Sequence, residues 1–143
     1  MSSSSFDGVD AAIIETDGKH FIKKVESSFI EYDKKEREIY NNSILKNYSK
    51  ITSVVDHKHK LAIENILNKF GNKVDIIGLH GQTFFHNPKA KWTWQYINSR
   101  YIAQYFKTNV ISDFRIADVN KGGEGAPLVP LFHKNLLFKK KSD

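Results

Sequence analysis

Apolar and polar positions alternate at the start of the chain, as is typical of β-strands. One alternating run covers residues 9–14 and a second covers residues 20–25, and Asp17-Gly18 lies between them. Asp-Gly is a strong turn-forming pair between two such runs. The pattern therefore predicts an antiparallel hairpin near the N-terminus.

Helical spacing takes over further along the chain. Residues 32–48 are highly charged with a few apolar positions at loose helical intervals, which predicts one exposed helix or two short ones. Residues 53–70 carry apolar side chains at intervals of three and four, and Gly71-Asn72 follows as a stop signal. This segment predicts a long helix, and residues 99–106 predict a shorter one.

Short apolar runs lie between and after these helices. Residues 74–79 form a nearly continuous apolar run, which predicts a strand that is buried on both faces. Residues 83–86, 92–96 and 109–112 are three further strand candidates, and the chain from Asp113 onward looks like a loop. The alternation of helices and strands favours an α/β fold with parallel strands beside the antiparallel hairpin.

Polar residues follow two of the predicted strands. His80-Gly81-Gln82-Thr83 follows the run 74–79, and Asp113-Phe114-Arg115 follows the run 109–112. Ligands of open α/β sheets bind at the carboxyl ends of strands, where a carboxylate is suited to act as a general base and an arginine to bind an anion. The alternatives are a polar turn for the first segment and a loop ion pair for the second.

Two small-residue segments suit a phosphate or another close ligand. Ser2 to Ser5, followed by Asp7-Gly8, can present hydroxyl and backbone N–H groups to a phosphate, although a flexible serine-rich terminus is the alternative. Glycines in residues 122–127 allow close backbone approach, but any tight loop uses them.

Histidines are also present in two neighbourhoods, and neither predicts a metal site. His57 and His59 are alternate residues of a helix and point to different faces, so we interpret them as a solvated patch. His80 and His86 have no third ligand at a useful spacing.

Composition narrows the class of protein. The 143 residues suit one domain, and 40% hydrophobic, 13% aromatic and 27% charged residues describe a globular chain without a bilayer-spanning run. The chain has no cysteine and no signal-peptide pattern, so the expected location is the cytoplasm. The net charge of +6 is spread out and no recognition motif accompanies it, so a nucleic-acid partner is not expected.

Five blocks in order resemble the anhydro-N-acetylmuramic acid kinase family. They are residues 1–12, residues 77–83 (Ile-Gly-Leu-His-Gly-Gln-Thr), residues 93–95, residues 112–118 (Ser-Asp-Phe-Arg-Ile-Ala-Asp) and residues 122–130. The chain departs from the family pattern at Ser3 and Ser4, where the family has Gly-Thr, and at Ile97-Asn98, where it has Gly-Asp.

The resemblance implies a fold and an activity. The fold is a partial ribonuclease H-like lobe of the sugar kinase and actin-like ATPase superfamily, with a mixed sheet, an antiparallel hairpin and flanking helices. The resemblance implies that residues 1–143 are a single, incomplete N-terminal lobe without the C-terminal lobe. The activity is phosphorylation of O6 of 1,6-anhydro-N-acetylmuramic acid by ATP and Mg²⁺, with hydrolytic opening of the anhydro ring, and we expect it to be impaired in the isolated chain. The alternative is a non-catalytic sugar-binding or interaction module.

The same resemblance assigns residues to roles. Asp113 would be the general base, Asp7 would lie near the metal, and the amino sugar and ATP would be the partners, with a homodimer allowed by the family resemblance. The residues against ATP would be Ser3, Ser4, Ser5, Phe6, Asp7, Gly8, Val9 and Asp10. The residues lining or supporting the sugar site would be His80, Gln82, Thr83 and Arg115.

Overall fold

The computed structural model of the chain describes residues 6–19, 21–41, 46 and 48–128. Within these ranges the chain forms six strands, four α-helices and a single 3₁₀ turn at Pro88–Ala90. In chain order the strands and α-helices are β1 (Gly8–Thr16), β2 (Ile22–Glu31), α1 (Lys34–Asn41), α2 (Tyr48–Phe70), β3 (Ile76–Gly78), β4 (Gln82–Asn87), β5 (Trp92–Tyr96), α3 (Ser99–Phe106), β6 (Asn109–Ile111) and α4 (Phe114–Asn120).

The described strands pair two by two. β1 and β2 are antiparallel, β4 and β5 are antiparallel, and β3 and β6 are parallel. The α/β class with parallel strands and an antiparallel hairpin is therefore confirmed, and the arrangement is consistent with part of an actin-like ATPase lobe. Within the described residues these pairs are three two-stranded sheets, one parallel and two antiparallel.

The predicted hairpin is confirmed, and its turn explains why Asp17-Gly18 lies there. Asp17 Oδ1 accepts hydrogen bonds from the backbone N–H groups of Lys19 at 2.9 Å and Phe21 at 2.8 Å. Gly18 has a φ of +75°, a backbone conformation that costs glycine little. An aspartate that caps the turn and a glycine that enters the left-handed region together reverse the chain.

The apolar spacing in the sequence predicted both α2 and α3 to within five residues at each end. α3 has the predicted bounds, and Asn98 caps it because its side-chain oxygen accepts from the N–H of Tyr101 at 3.0 Å. α1 begins with a capping box, in which Asp33 Oδ1 accepts from Glu36 N at 2.9 Å and Glu36 Oε2 accepts from Asp33 N at 2.7 Å. α2 begins at Tyr48, earlier than predicted.

The core consists of two clusters that meet along α2. The first contains Phe6, Val9, Tyr32, Ile51, Val55, Ala62 and Phe84. The second contains Ile63, Ile77, Leu79 and Ile102. α2 contributes to both clusters, so this one helix joins the N-terminal hairpin to the parallel pair of strands.

The prediction that the run 74–79 is a strand buried on both faces is wrong for one face. Ile77 is 9% exposed and packs with Ile63, whereas Ile76 is 51% exposed. Successive side chains of a strand point to opposite faces, and in the described part of the chain only the Ile77 face of the β3–β6 pair has a hydrophobic cluster against it.

The loop predicted from Asp113 onward contains a helix, α4. The prediction failed because the glycines and proline after residue 121 dominate the composition, while α4 has only seven residues and a single buried one, Val119. A helix this short, with one buried residue, leaves no periodic apolar pattern in the sequence.

The interpretation of His57 and His59 as one solvated patch is wrong for His59. His57 is exposed, but His59 is only 2% exposed. Nδ1 of His59 lies 2.8 Å from the carbonyl oxygen of Val55, and Nε2 is buried with no hydrogen-bond partner in the described part of the chain. Burial, opposed in part by the bond to Val55, lowers the pKa of His59 to about 4.

One carboxylate on α2 anchors the segment that leads into α3. Asp56 accepts from the hydroxyl of Tyr96 at 2.8 Å and from the backbone N–H of Asn98 at 2.9 Å. Burial and the hydrogen bond to Asp56 together raise the pKa of Tyr96. The carboxylate thus connects α2, β5 and the start of α3.

We expect Asp56→Ala to lower the free energy of unfolding by about 2 kcal/mol, since two hydrogen bonds to a charged acceptor are lost. Tyr96→Phe should cost about 1 kcal/mol, since it removes only one of the two hydrogen bonds to Asp56. Urea unfolding of both variants and of the double variant measures the coupling. Asp75→Ala, at an exposed carboxylate, is the control; an equal loss in Asp75→Ala and Asp56→Ala would contradict the role of Asp56.

Candidate functional site

The two polar segments that follow β3 and β6 lie side by side. The backbone N–H of Leu79 donates to the carbonyl oxygen of Ile111 at 2.8 Å, which continues the parallel pairing to the edge where both strands end. A cleft of about 470 Å³ opens at this edge. It is lined by Gly78, His80, Phe114, Ala117, Asp118, Lys121 and Leu128.

His80 and Arg115 form the central contact of the site. Arg115 Nε lies 3.2 Å and its Nη2 lies 3.0 Å from Nε2 of His80, while Nδ1 of His80 lies 3.0 Å from the carbonyl oxygen of Gly81. Burial is the main cause that lowers the pKa of His80, and the nearby guanidinium lowers it further. Both effects favour the neutral form of the His80 imidazole.

Gly81 allows the chain to turn at this point. Its φ is +76°, and a Cβ atom placed on it would lie 2.6 Å from the carbonyl oxygen of Tyr96. Gln82 and Thr83, which follow, are 0% and 8% exposed. These two polar side chains are thus buried behind the turn, while His80 lines the cleft.

Tyr40 connects this segment to the N-terminal block. Its ring stacks on Phe6 with centroids 4.2 Å apart, and its hydroxyl donates to the carbonyl oxygen of Thr83 at 3.4 Å. Burial raises the pKa of Tyr40, while a hydrogen bond with Gln82 acts in the opposite direction. The first and second sequence blocks, far apart along the chain, are therefore neighbours in the structure.

The N-terminal block is divided between core and surface. Ser3, Ser4 and Ser5 lie outside the described residues. The side chains of Phe6 and Val9 are each 2% exposed and belong to the core, so they can offer a ligand only their backbone. Asp10 is exposed.

Asp7 lies at the surface of that block, and Gly8 beside it is buried. The Asp7 carboxylate is exposed, and its Oδ1 accepts from the N–H of Gly8 at 3.0 Å. A Cβ atom on Gly8 would lie 2.3 Å from the ring of Phe29, so this position has no room for a side chain. An exposed carboxylate suits Mg²⁺, which typically takes one or two protein carboxylates and completes its coordination with waters and phosphate oxygens.

Asp113 begins α4 in an uncommon backbone conformation. Its φ is +64°, its side chain is exposed, and Ser112 Oγ donates to its Oδ2 at 2.9 Å. Among the described residues it forms no ion pair with Arg115, which contacts His80 instead. The alternative that the Asp-Phe-Arg segment is a local ion pair is therefore not what the structure shows.

Asp118 holds the glycine-rich segment in place, a role that was not predicted from the sequence. Its Oδ2 accepts from the backbone N–H of Gly125 at 2.8 Å, and a Cβ atom on Gly123 would lie 2.1 Å from the same oxygen. The glycine-rich segment thus wraps closely around the Asp118 carboxylate. Glycine clusters are common in loops, so only the position of Asp118 shows why these glycines are needed.

Thr83, His86, Thr93 and Gln95 form a polar stripe on the β4–β5 hairpin. The sequence motifs assigned no chemical role to Thr93 or Gln95. Thr93 is 6% exposed and its Oγ1 lies 3.0 Å from Nδ1 of His86 and 2.8 Å from Nε2 of Gln95. The same amide nitrogen lies 3.5 Å from Oγ1 of Thr83. The only signal for Thr93 and Gln95 was their place in a sequence block.

Neither a three-residue metal cluster nor a membrane span occurs in the described ranges. No group of three or more histidine, cysteine, aspartate or glutamate side chains there could hold a metal ion. No helix in the same ranges is long and apolar enough to cross a membrane.

The parallel strand pair, the polar segments at its carboxyl edge and the N-terminal hairpin form an α/β arrangement that is consistent with part of an actin-like ATPase lobe. Comparison with known families specifies it further. The family model described as anhydro-N-acetylmuramic acid kinase matches residues 1–143. The chain belongs to the anhydro-N-acetylmuramic acid kinase family.

Curated relatives support this assignment and show how much of a family member the chain represents. It is 36% identical to an anhydro-N-acetylmuramic acid kinase of Pelagibacter ubique, over 99% of this chain and 41% of the relative. It is 34% identical to the enzyme of Zymomonas mobilis over 93% of this chain and 35% identical to that of Rhizorhabdus wittichii over 95%, again with 41% of each relative covered. The chain therefore spans about two fifths of the length of these relatives.

Proposed function

We propose that the chain is part of an ATP-dependent kinase that phosphorylates O6 of 1,6-anhydro-N-acetylmuramic acid and opens the anhydro ring with water. The observation that carries the proposal is the cleft at the carboxyl edge of β3 and β6, which His80 lines and where Arg115 of another sequence block contacts His80. Asp113 begins α4, the helix that supplies Phe114, Ala117 and Asp118 to the lining. Family membership supports the reaction type, and the cleft supports the place of the sugar.

The sugar half of the site comprises His80, Gln82, Thr83 and Arg115 in this proposal. His80 lines the cleft, and the buried Gln82 and Thr83 hold the turn behind it. Thr83 is in turn held by Gln95 of the polar stripe. We thus assign His80 to contact with the sugar and the other three residues to its support.

Asp113 is the proposed base. Its Oδ2 is engaged by Ser112, and its Oδ1 has no hydrogen-bond partner in the described part of the chain. In the proposed reaction Asp113 takes a proton from water, and the water oxygen attacks C1 as the C1–O6 bond breaks. O6 forms a bond to the γ-phosphorus of ATP, the bond from that phosphorus to the β,γ-bridging oxygen breaks, and ADP leaves.

ATP and Mg²⁺ are assigned to the N-terminal block. Residues 3–10 would meet the phosphates through backbone N–H groups, and the exposed Asp7 carboxylate would be a ligand of the metal. Mg²⁺ bound there would neutralise charge on the phosphoryl oxygens. The lack of space for a side chain at Gly8 means that only glycine fits at this position of the block.

Two measurements test the proposal on the 143-residue chain. Calorimetry should detect binding of the anhydro sugar at millimolar concentration. A coupled ADP-release assay on these 143 residues should show turnover far below that of the Pelagibacter ubique relative, since they match only 41% of its length. An absence of heat at millimolar sugar would contradict the sugar site. Turnover near that of the relative would contradict the expected impairment.

Asp113→Asn tests the base directly. In a single-turnover experiment with excess protein, labelled ATP and the anhydro sugar, the variant should transfer phosphate at least about 100-fold more slowly, because a positioned base contributes about 10²–10⁴-fold. Sugar affinity should stay unchanged. Asp75→Asn, which alters an exposed carboxylate, should behave as the parent chain, and an Asp113→Asn rate equal to the parent rate would refute the role of Asp113.

A non-catalytic sugar-binding module is the second candidate. It is favoured by one observation, namely that the cleft and the His80–Arg115 contact are formed without any of residues 6–10 of the block assigned to ATP. Sugar binding without any phosphate transfer in the single-turnover experiment would support this candidate over the kinase.

A further inference from the structure

The contacts of His80 determine which of its ring nitrogens carries a proton. A guanidinium has only donors, so Nε2 of His80 must accept from Arg115 and be unprotonated. Nδ1 must then carry the proton, and it donates to the carbonyl oxygen of Gly81, which can only accept. The two contacts hold the ring from two sides and are compatible with a single neutral tautomer.

Arg115 is itself held firmly by α4 and the glycine-rich segment. A Cβ atom on Gly125 would lie 2.6 Å from Cγ of Arg115 and 2.9 Å from Cγ2 of Val119, so the backbone at Gly125 packs directly on the arginine side chain. Gly125 is held in turn by Asp118. Contacts with α4 and the glycine-rich segment thus fix the aliphatic part of the Arg115 side chain, and the guanidinium extends from there to His80.

We propose that Arg115 is a positioning residue that fixes His80 as its Nδ1–H tautomer and so sets how the imidazole lines the cleft. With Nε2 occupied by Arg115 and Nδ1 by Gly81, the ring faces the cleft with both nitrogens already engaged. The consequence for sugar binding rests on the proposed function, but the tautomer does not.

This contact depends on pH in a defined direction. The charged or titratable groups around His80 are Arg115 and Asp118 on α4, Lys121 directly after α4, and His59 on α2. Burial and Arg115 lower the pKa of His80. The contact is therefore intact at neutral pH and is lost only as the pH falls through the lowered pKa, when a proton on Nε2 would face the guanidinium.

Nitrogen-15 NMR of the histidine side chains of the 143-residue chain tests the proposal. We expect His80 to show the Nδ1–H tautomer alone at pH 7. Arg115→Met should produce a mixture of tautomers and move the titration midpoint of His80 upward, whereas Arg115→Lys, which keeps one donor, should largely restore the parent tautomer. Arg100→Met removes an exposed arginine of α3 and should change neither property.

The outcomes separate the proposals. A mixture of tautomers in the parent chain, or an unchanged His80 spectrum in Arg115→Met, would refute the positioning role of Arg115. Amide spectra show whether each variant is folded. If Arg115→Met does not fold, Arg115→Gln takes its place. Calorimetry should show about tenfold weaker sugar binding in Arg115→Met at pH 7 and an intermediate value in Arg115→Lys. Unchanged affinity despite an altered tautomer would refute the role in the sugar site. A fixed tautomer with no sugar binding by the parent would refute the proposed function alone.

Discussion

Lowering the pH from 6.5 to about 4 is expected to reduce the free energy of unfolding by roughly 3 kcal/mol through one residue, His59. The imidazole is 2% exposed, and its Nε2 has no hydrogen-bond partner in the described part of the chain. Placing a charge there without water or a counter-ion is costly, so the folded protein resists protonation.

The free energy of unfolding falls at low pH because proton binding is linked to unfolding. Between the ordinary pKa of 6.5 and the folded value of about 4, the unfolded chain binds a proton at His59 and the folded chain does not. Stability is therefore fully present above pH 6.5 and is lost as the pH falls toward 4. His80, whose pKa is also lowered, acts in the same direction.

Urea unfolding at a series of pH values measures the effect, and His59→Leu tests its source. The variant has no titrating group at this position, so its stability should fall much less between pH 6.5 and 4. His57→Leu is a matched control, since His57 is an exposed histidine on the same helix and should leave the pH dependence unchanged. Parallel pH profiles for the parent and His59→Leu would show that another group is responsible.

Gly81→Ala is expected to lower the free energy of unfolding by about 2–4 kcal/mol and to abolish the His80–Arg115 contact. The positive φ of Gly81 costs an alanine about 1 kcal/mol or more. The added Cβ would also lie 2.6 Å from the Tyr96 carbonyl oxygen and 3.1 Å from Cγ2 of Ile97. Since a backbone oxygen cannot move aside alone, the turn must shift, at a cost of about 1–3 kcal/mol.

Gly71→Ala distinguishes the cost of backbone strain at a positive φ from the cost of the close contact with Tyr96. Gly71 has a φ of +74°, close to that of Gly81, but a Cβ atom there meets nothing within 4 Å. Its substitution should cost only the backbone strain, about 1 kcal/mol. Urea unfolding of both variants measures the difference, and the NMR signal of His80 reports on the turn. Equal losses of stability would show that the contact with Tyr96 is unimportant.

The sequence predicted some elements better than others, for physical reasons. The bounds of β5 and α3 follow from local signals, namely a short apolar alternation and an amphipathic segment that ends before Lys107. α4 has no such signal, because it is short and buries only Val119. The phosphate assignment of Phe6 and Val9 rested on a sequence block, and only the structure shows that both side chains belong to the core.

The sequence by itself determined the α/β class, the hairpin turn at Asp17-Gly18, the long helix and the positions of the polar segments, because these depend on periodicity and turn chemistry within a few residues. Tertiary structure alone decided that His59 is buried and that Asp118 holds the glycine-rich segment. It also decided that Arg115 contacts His80 and not Asp113. These contacts join residues of different elements or different loops, and their geometry depends on how α2, α4 and the strands pack, which no local pattern encodes.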